Sequence, residues 1–184
     1  MLYIVATPIG NLKDITLRAL EVLKSASLIA CEDTRKAKTL LSHYDIHAPL
    51  MSYYDHNEEA RLEPLLKRLR QGEDIALISD AGLPVFQDPG YLLTRRLIAE
   101  AIPFTVLPGP VAAVAALVLS GLPPDSFVFE GYLPPKKAKR QRKLKRLSCE
   151  TRTVIFYETP HRLIAGLRDI LEALGDIEVV VVGK

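Results

Sequence analysis

Short, continuously apolar runs alternate along the first 110 residues with segments whose apolar side chains recur every three to four positions. Such runs are typical of strands buried on both faces of a parallel sheet, whereas the three-to-four spacing is typical of amphipathic helices. The predicted strands cover residues 2–6, 28–30, 76–78 and 104–107, and a further short strand with its exit loop is predicted within residues 49–54. The predicted helices cover residues 15–23, 34–41, 58–70 and 91–101. This alternation predicts an α/β fold with a mostly parallel sheet.

The pattern changes after the tripeptide at residues 108–110. A small-residue helix is predicted at residues 111–119, followed by a linker at residues 122–125. Strands are then predicted at residues 127–129, 153–157 and 178–182, and helices at residues 136–146 and 160–174. We expect an N-terminal α/β domain of residues 1–110 and a C-terminal α/β domain of residues 111–184. Because three strands and two helices are few for a freestanding domain, we expect the second domain to be truncated and the native protein to continue.

Helix ends carry their own signals. Asp14 is predicted to cap the start of the first helix, and Gly72 and Gly175 are predicted to follow the ends of later helices. Pro64 lies inside the helix predicted at residues 58–70. That helix is therefore expected either to kink at Pro64 or to begin later than residue 58.

Composition places the chain among globular proteins, with 48% apolar and 25% charged residues. No apolar run is long enough to cross a bilayer, so no membrane association is expected. The N-terminus lacks the pattern of a signal peptide, which predicts a cytoplasmic protein. Cys31 and Cys149 are far apart and lack the spacing of zinc ligands, so we expect reduced thiols and no metal site.

Positive charge is concentrated in one segment. Of the 24 basic residues, eight lie between residues 136 and 146, where no acidic residue occurs, and the rest of the chain carries 16 basic against 22 acidic residues. Such a block favours binding of a polyanion, although a solvated helix face would have the same composition. The eight candidates are Lys136, Lys137, Lys139, Arg140, Arg142, Lys143, Lys145 and Arg146.

Two loops of similar design follow predicted strands. One spans residues 7–11 and contains Pro8 and Gly10, and the other spans residues 79–84 and contains Gly82 and Pro84. Ligands of open α/β sheets bind at the carboxyl ends of the strands, and glycine lets the backbone approach them closely. Both loops are therefore candidate binding sites, although glycine and proline also mark ordinary turns.

A third polar cluster follows the strand predicted at residues 28–30. Glu32, Asp33 and Arg35 are candidates for the reaction side of the site because they lie at a strand's carboxyl end. The alternative is a capping and ion-pair cluster, in which Asp33 caps the helix that follows. No dinucleotide fingerprint, phosphate-binding P-loop, zinc-protease motif or nucleophile elbow occurs, so hydrolysis and nucleoside triphosphate binding are disfavoured.

Six motifs follow one another in an order that resembles the ribosomal RNA small subunit methyltransferase I family, within the tetrapyrrole methylase-like superfamily. They are residues 2–12, 31–35, 80–82 with 88–90, 108–110, 129–134 and 158–162. The resemblance implies S-adenosylmethionine held in a cleft between two α/β domains, and a homodimer. It also implies 2′-O-methylation of a cytidine ribose in the decoding region of 16S rRNA on the small ribosomal subunit, with the eight basic residues binding rRNA. The family's further strands and a small helical region would lie beyond residue 184.

The resemblance also assigns the cofactor contacts, most of them through main-chain groups. They are Pro8, Ile9, Gly10, Asp80, Leu83, Val111, Ala112 and Phe156. Leu83 replaces a usual threonine and Val111 an often small polar residue, so each position lacks a hydroxyl. If those hydroxyls bonded the cofactor, each loss would weaken binding by about 0.5 to 1.5 kcal/mol.

Two other functions stay open at this point. A methylase of the same superfamily that acts on a small tetrapyrrole would need no basic block. A non-catalytic ribosome-binding homologue would be consistent with Leu83 and Val111.

Overall fold

The chain forms two compact units, and the computed structural model describes residues 1–183. The first unit spans Met1–Val111, and the second begins at Ala112. This division falls one residue after the predicted boundary. The assignment of residues 1–110 and 111–184 to two domains, the second of them truncated, stays a prediction.

A five-stranded parallel sheet forms the centre of the first unit. Its strands are β1 (Leu2–Val5), β2 (Leu28–Cys31), β3 (Leu50–Ser52), β4 (Ile75–Ile78) and β5 (Phe104–Leu107). They lie in the order β3-β2-β4-β1-β5, and every neighbouring pair is parallel. The predicted α/β class with a parallel sheet is confirmed.

Four helices accompany this sheet, which is buried on both faces. They are α1 (Leu17–Ser25), α2 (Thr34–His43), α3 (Glu58–Arg70) and α4 (Tyr91–Ala99). Alternate side chains of β4 enter different cores: Leu77 packs with Leu65 and Leu93 of α3 and α4, whereas Ile78 packs with residues of α1 and α2. Burial on both faces explains why the strands are continuously apolar.

The ends of the helices differ from the prediction at α1 and decide between the two alternatives at α3. Asp14 does not cap α1, because it ends a short 3-10 turn at Leu12–Asp14 and Ile15 is extended. Thr16 is the cap, and its hydroxyl accepts a hydrogen bond from the Ala19 N–H at 3.1 Å. Helix α3 begins at Glu58 and contains Pro64, so the later start considered for it is wrong. Gly72 follows α3 in the left-handed conformation, as predicted.

Residues 112–183 of the second unit form two parallel strands and three helices. They are α5 (Ala112–Ser120), β6 (Phe127–Tyr132), α6 (Lys137–Lys145), β7 (Thr153–Tyr157) and α7 (Pro160–Leu174). The register of β6 against β7 shifts between Phe129 and Gly131. Helix α6 packs on α7. Gly175 follows the end of α7, as predicted, and is its C-cap residue. No helix within residues 1–183 is long and apolar enough to cross a membrane.

The strand predicted at residues 178–182 is wrong for this structure. These residues form no strand ladder, and their four valines are 40 to 53% exposed. An alternating or continuous β-branched run favours extended backbone, but a strand forms only where its N–H and C=O groups find a neighbouring strand. The sequence pattern indicates a preference of residues 178–182 for extended backbone, but it does not specify a neighbouring strand for them to pair with.

Candidate functional site

The carboxyl ends of four neighbouring strands lie level in the first unit. Ile78 of β4 aligns with Cys31 of β2 and with Val5 of β1, and Val5 aligns with Leu107 of β5. The loops that follow these strands therefore emerge side by side at one edge of the sheet. This is the position at which open α/β sheets bind ligands.

The two glycine-containing loops are joined directly by a short antiparallel bridge. The Thr7 N–H donates to the Gly82 carbonyl at 2.8 Å, and the Gly82 N–H donates to the Thr7 carbonyl at 3.0 Å. The buried Thr7 hydroxyl also donates to the Ser79 carbonyl at 3.2 Å. The structure thus brings Pro8, Ile9 and Gly10 beside the loop that carries Asp80 and Leu83.

Glycine is favoured at two positions of this edge for different reasons. Gly82 has φ +86°, which other residues rarely adopt, and its Cβ position lies within ordinary contact distance of Ile9 Cγ2 at 3.5 Å and of the Pro110 carbonyl oxygen at 3.6 Å. A Cβ on Gly109 would lie only 2.8 Å from the Ala6 Cβ, which is closer than two such atoms can pack. The loops after β1, β4 and β5 therefore form one continuous backbone cradle.

The polar cluster after β2 is tied to the loop after β4. Asp80 accepts a hydrogen bond from the Asp33 N–H at 3.1 Å and forms an ion pair with Lys36 at 2.6 Å. Asp33 caps α2 by accepting from the Arg35 N–H at 2.8 Å, and it pairs with the Arg35 guanidinium at 2.7 Å. Hydrogen bonds from Arg35 lower the pKa of Asp33 to about 2. This geometry matches the capping and ion-pair alternative for Asp33 and Arg35.

Glu32 has a different environment from Asp33. Burial raises its pKa, and the nearby charges of Asp80 and Asp88 raise it further. The pKa of Asp88 is also raised, first by burial and then by Asp80 and Asp55, against a hydrogen bond from Ser79. Strand-end carboxylates with raised pKa values are candidates for handling protons or facing a cation. Asp88 belongs to the motif at residues 88–90, and the sequence pattern does not predict a role for its side chain.

The side chain of Leu83 packs inside the protein and not toward the polar loops. It packs against the apolar core that includes Leu77 and Leu93. Any ligand contact from this position would therefore use the backbone. Val111, the last residue of the first unit, is half-buried.

Two proposed cofactor contacts lie in the second unit. Ala112 begins α5, and Phe156 lies in β7. The next residue of each element joins them, because the Ala113 N–H donates to the Tyr157 hydroxyl oxygen at 3.1 Å. The start of α5 and the end of β7 are therefore adjacent within this unit.

One face of α6 is buried against α7. The Arg140 Nε and Nη2 each lie 2.5 Å from Asp169 Oδ2, and Nη1 donates to the Pro134 and Pro135 carbonyls at 3.0 Å. Gln141 also donates to Asp169, at 3.1 Å. The expectation that Arg140 binds RNA is not supported, because its guanidinium is buried and its hydrogen bonds are used within the protein.

The opposite face of α6 is a basic stripe, defined here as Lys139, Arg142, Lys143 and Arg146. These residues are spaced i, i+3, i+4 and i+7, which places them on one helix face. With Glu130 and Leu147 they line a depression of about 400 Å³. Lys143 donates to the Glu130 carbonyl at 2.6 Å and pairs with its carboxylate at 3.0 Å, so the other three cations carry most of the open charge.

The remaining candidates of this segment are also accessible to solvent. Lys136 and Lys145 are exposed. Lys137 is 65% exposed but pairs with Glu172 at 3.0 Å, which reduces its charge available to a ligand.

Comparison with known proteins identifies the class to which this fold belongs. The sequence profile of the family Tetrapyrrole (Corrin/Porphyrin) Methylases matches residues 1–184. A cobalt precorrin-4 methyltransferase, described as a cobalamin biosynthetic enzyme, superposes with a TM-score of 0.69 at 17% identity, covering 94% of this chain and 74% of that one. The uroporphyrin-III C-methyltransferase of Thermus thermophilus superposes with a TM-score of 0.61 at 24% identity, covering 93% and 72%. These structures establish the fold.

Sequence relatives narrow the assignment. The ribosomal RNA small subunit methyltransferase I of Escherichia coli O157:H7 is 51% identical over 183 residues, which cover 100% of this chain and 64% of that protein. The protein of the same name from Thermotoga maritima is 47% identical over 180 residues, covering 98% of this chain and 81% of the relative. The chain belongs to the ribosomal RNA small subunit methyltransferase I family. It spans less than two thirds of the length of the E. coli relative.

Proposed function

We propose that this chain is the cofactor-binding part of an enzyme that methylates the 2′-hydroxyl of a cytidine ribose in the decoding region of 16S rRNA. The observation that carries the proposal is the basic stripe of α6 on a member of a methylase family. A polyanionic substrate accounts for three accessible cations on one helix face. A small tetrapyrrole does not require them.

The backbone cradle suits S-adenosylmethionine, which when bound supplies an electrophilic methyl group on a sulfonium. The Thr7–Gly82 bridge holds the main chain of residues 8–10 beside that of residues 80–83, and Gly82 has no side chain to cover this backbone. The carboxylates of Asp80, Asp88 and Glu32 favour a ligand that carries positive charge. Val111, Ala112 and Phe156 remain proposed contacts.

Most of the acceleration would come from holding the ribose oxygen in line with the methyl group. Glu32 is the best candidate on the reaction side, because burial raises its pKa and a more basic carboxylate accepts a hydroxyl proton more readily. Asp33 and Arg35 form an ion pair with each other at the start of α2. Their role would be to hold the backbone next to Glu32 in place.

The basic stripe would bind rRNA phosphates and set position rather than sequence choice. Lys139, Arg142 and Arg146 are expected to contribute most, because Lys143 already pairs with Glu130. A homodimer in the cytoplasm, bound to the small ribosomal subunit, completes the proposal. Sedimentation equilibrium of the purified protein tests the dimer.

The decisive experiment is transfer of a labelled methyl group to 30S subunits by the purified full-length protein. Label on a 16S cytidine, protecting the adjacent phosphodiester from alkaline cleavage, supports 2′-O-methylation. Normal S-adenosylmethionine binding without transfer to 30S subunits rejects it. Absence of S-adenosylmethionine binding would favour the non-catalytic alternative.

Charge variants separate the rRNA substrate from a small tetrapyrrole. Replacing Lys139, Arg142 and Arg146 with alanine should weaken rRNA binding and lower the magnitude of its log-log salt slope by about 1 per residue. Lys24→Ala, on α1 of the other unit, is the control. Methylation unaffected by the triple replacement would favour a small-molecule substrate.

A further inference from the structure

Glu58, the first residue of α3, connects three other segments of the first unit. One of its carboxylate oxygens, Oε1, accepts hydrogen bonds from the Tyr53 hydroxyl at 2.8 Å, the Gly90 N–H at 3.0 Å and the Leu92 N–H at 3.2 Å. Gly90 and Leu92 are more than 30 residues away in sequence. The carboxylate therefore fixes the end of the loop that begins after β4.

This loop, residues 79–90, has an unfavourable backbone conformation. Val85 has φ +73° and Gln87 has φ +70°, in the left-handed region that non-glycine residues rarely adopt. A β-branched residue such as Val85 is especially rare there. Such conformations persist only where surrounding contacts over-determine them, and they cluster at ligand-binding sites.

Two contacts hold this loop at its carboxyl end. Gly90 has φ +131°, and a Cβ there would lie 2.7 Å from Val85 Cγ2, so only glycine fits against the strained residue. Gly90 is also the N-cap of α4 and has no side chain to bind the free N–H groups of the first turn. Glu58 supplies that function from another helix and places negative charge at the N-terminus of α4.

The Glu58 carboxylate is itself held in place. Tyr53 is 1% exposed, so its hydroxyl donates from a fixed position beside β3. Tyr53 and Glu58 together connect the buried core to the loop that carries Asp80 and Asp88. At its other end, the loop is held by the bridge between Thr7 and Gly82.

We propose that Glu58 is a positioning residue that holds residues 79–90 in the conformation that binds S-adenosylmethionine. The proposal rests on the cofactor site proposed above. It adds that the binding conformation is stabilised from α3, outside the loops that contact the ligand. An amide oxygen can accept the same hydrogen bonds, so glutamine should replace Glu58 where alanine cannot.

The test is a calorimetric titration of the purified protein with S-adenosylmethionine, paired with amide hydrogen exchange of residues 79–92. Glu58→Ala should weaken binding at least tenfold and speed exchange at Gly90 and Leu92. Glu58→Gln should stay within about threefold of the unmodified protein in affinity. Glu59→Ala is the matched control, because Glu59 carries the same charge in the same helical turn and is exposed.

Binding by Glu58→Ala equal to that of Glu59→Ala would overturn the proposal, as would an equal loss in Glu58→Gln. If Glu58→Ala does not fold, Glu58→Asp carries the same test, because it keeps the charge and withdraws the carboxylate by one methylene. An unmodified protein that binds no S-adenosylmethionine also overturns it. Cofactor binding that depends on Glu58, without methyl transfer to 30S subunits, rejects the proposed function alone.

Discussion

Arg140 and Asp169 form a buried ion pair between α6 and α7. Both side chains are less than 10% exposed, and two guanidinium nitrogens lie 2.5 Å from the same carboxylate oxygen. Burial would raise the pKa of Asp169, but hydrogen bonds from Arg140 and Gln141 outweigh burial and lower it. The pair therefore lies on the face of α6 that packs on α7, opposite the basic stripe.

Loss of this pair should affect stability rather than the charge offered to RNA. Arg140→Ala removes the closest cation from the buried Asp169 and leaves it with the Gln141 amide and the more distant Lys137, so the free energy of unfolding should fall by about 3 kcal/mol. Lys139→Ala, one position away and exposed, should change it by less than about 0.5 kcal/mol. Urea denaturation measures both. Equal stability of the two variants would contradict the assignment of Arg140 to the protein interior.

A substitution at Leu83 tests whether this position contacts S-adenosylmethionine through its side chain or through its backbone. Its side chain packs on the core, so Leu83→Thr, which restores the family's usual hydroxyl, should leave S-adenosylmethionine affinity within about twofold of the unmodified protein. It should also lower the free energy of unfolding by about 1 to 2 kcal/mol, because apolar contacts are lost. Calorimetric titration and urea denaturation measure the two effects. A tenfold gain in affinity would show that a hydroxyl at this position reaches the cofactor.

Local signals predicted much of this fold, because they depend only on neighbouring residues. All four residues of β2 are buried, which matches their continuously apolar sequence. Asp33 was recognised as a possible N-cap from its position before α2. The prediction that Asp14 caps α1 was wrong because the start of the helix depends on the extended backbone of Ile15, which the apolar spacing does not reveal.

Long-range contacts were not predictable in the same way. The sequence gives no signal that Glu58 reaches Gly90, because nothing in either segment specifies the packing of α3 beside α4. The eight cations between residues 136 and 146 look alike in composition. A helical projection places Arg140 and Leu144 on one face, and Leu144 is fully buried, so that pairing was the available signal for a buried arginine.

The raised pKa of Asp88 predicts a specific pH dependence. The Asp88 carboxyl binds its proton more tightly in the folded state than in the unfolded state, where its pKa has the ordinary value of 3.8. Stability from this group therefore falls as pH rises from 3.8 through the raised folded value, and the full unfavourable contribution is present above it. Asp88→Asn should raise the free energy of unfolding at pH 7 and flatten its decline across that window.

Denaturation at a series of pH values checks this expectation. Asp125→Asn is the control because Asp125 is exposed, and it should leave the pH dependence nearly unchanged. A lower stability of Asp88→Asn than of the unmodified protein at pH 7 would contradict the unfavourable burial of the Asp88 charge.

The contact between Gly109 and Ala6 gives the sharpest steric prediction. A Cβ added at residue 109 would lie 2.8 Å from the Ala6 Cβ, and Ala6 is 3% exposed and cannot move into solvent. Gly109→Ala should therefore push apart the segments after β1 and β5, lowering the free energy of unfolding by about 1 to 3 kcal/mol and weakening S-adenosylmethionine binding. Adding Ala6→Gly removes the opposing methyl group and should recover part of both losses. A double-mutant cycle over stability and affinity measures this coupling, and strictly additive effects of the two substitutions would rule out the direct contact as the cause.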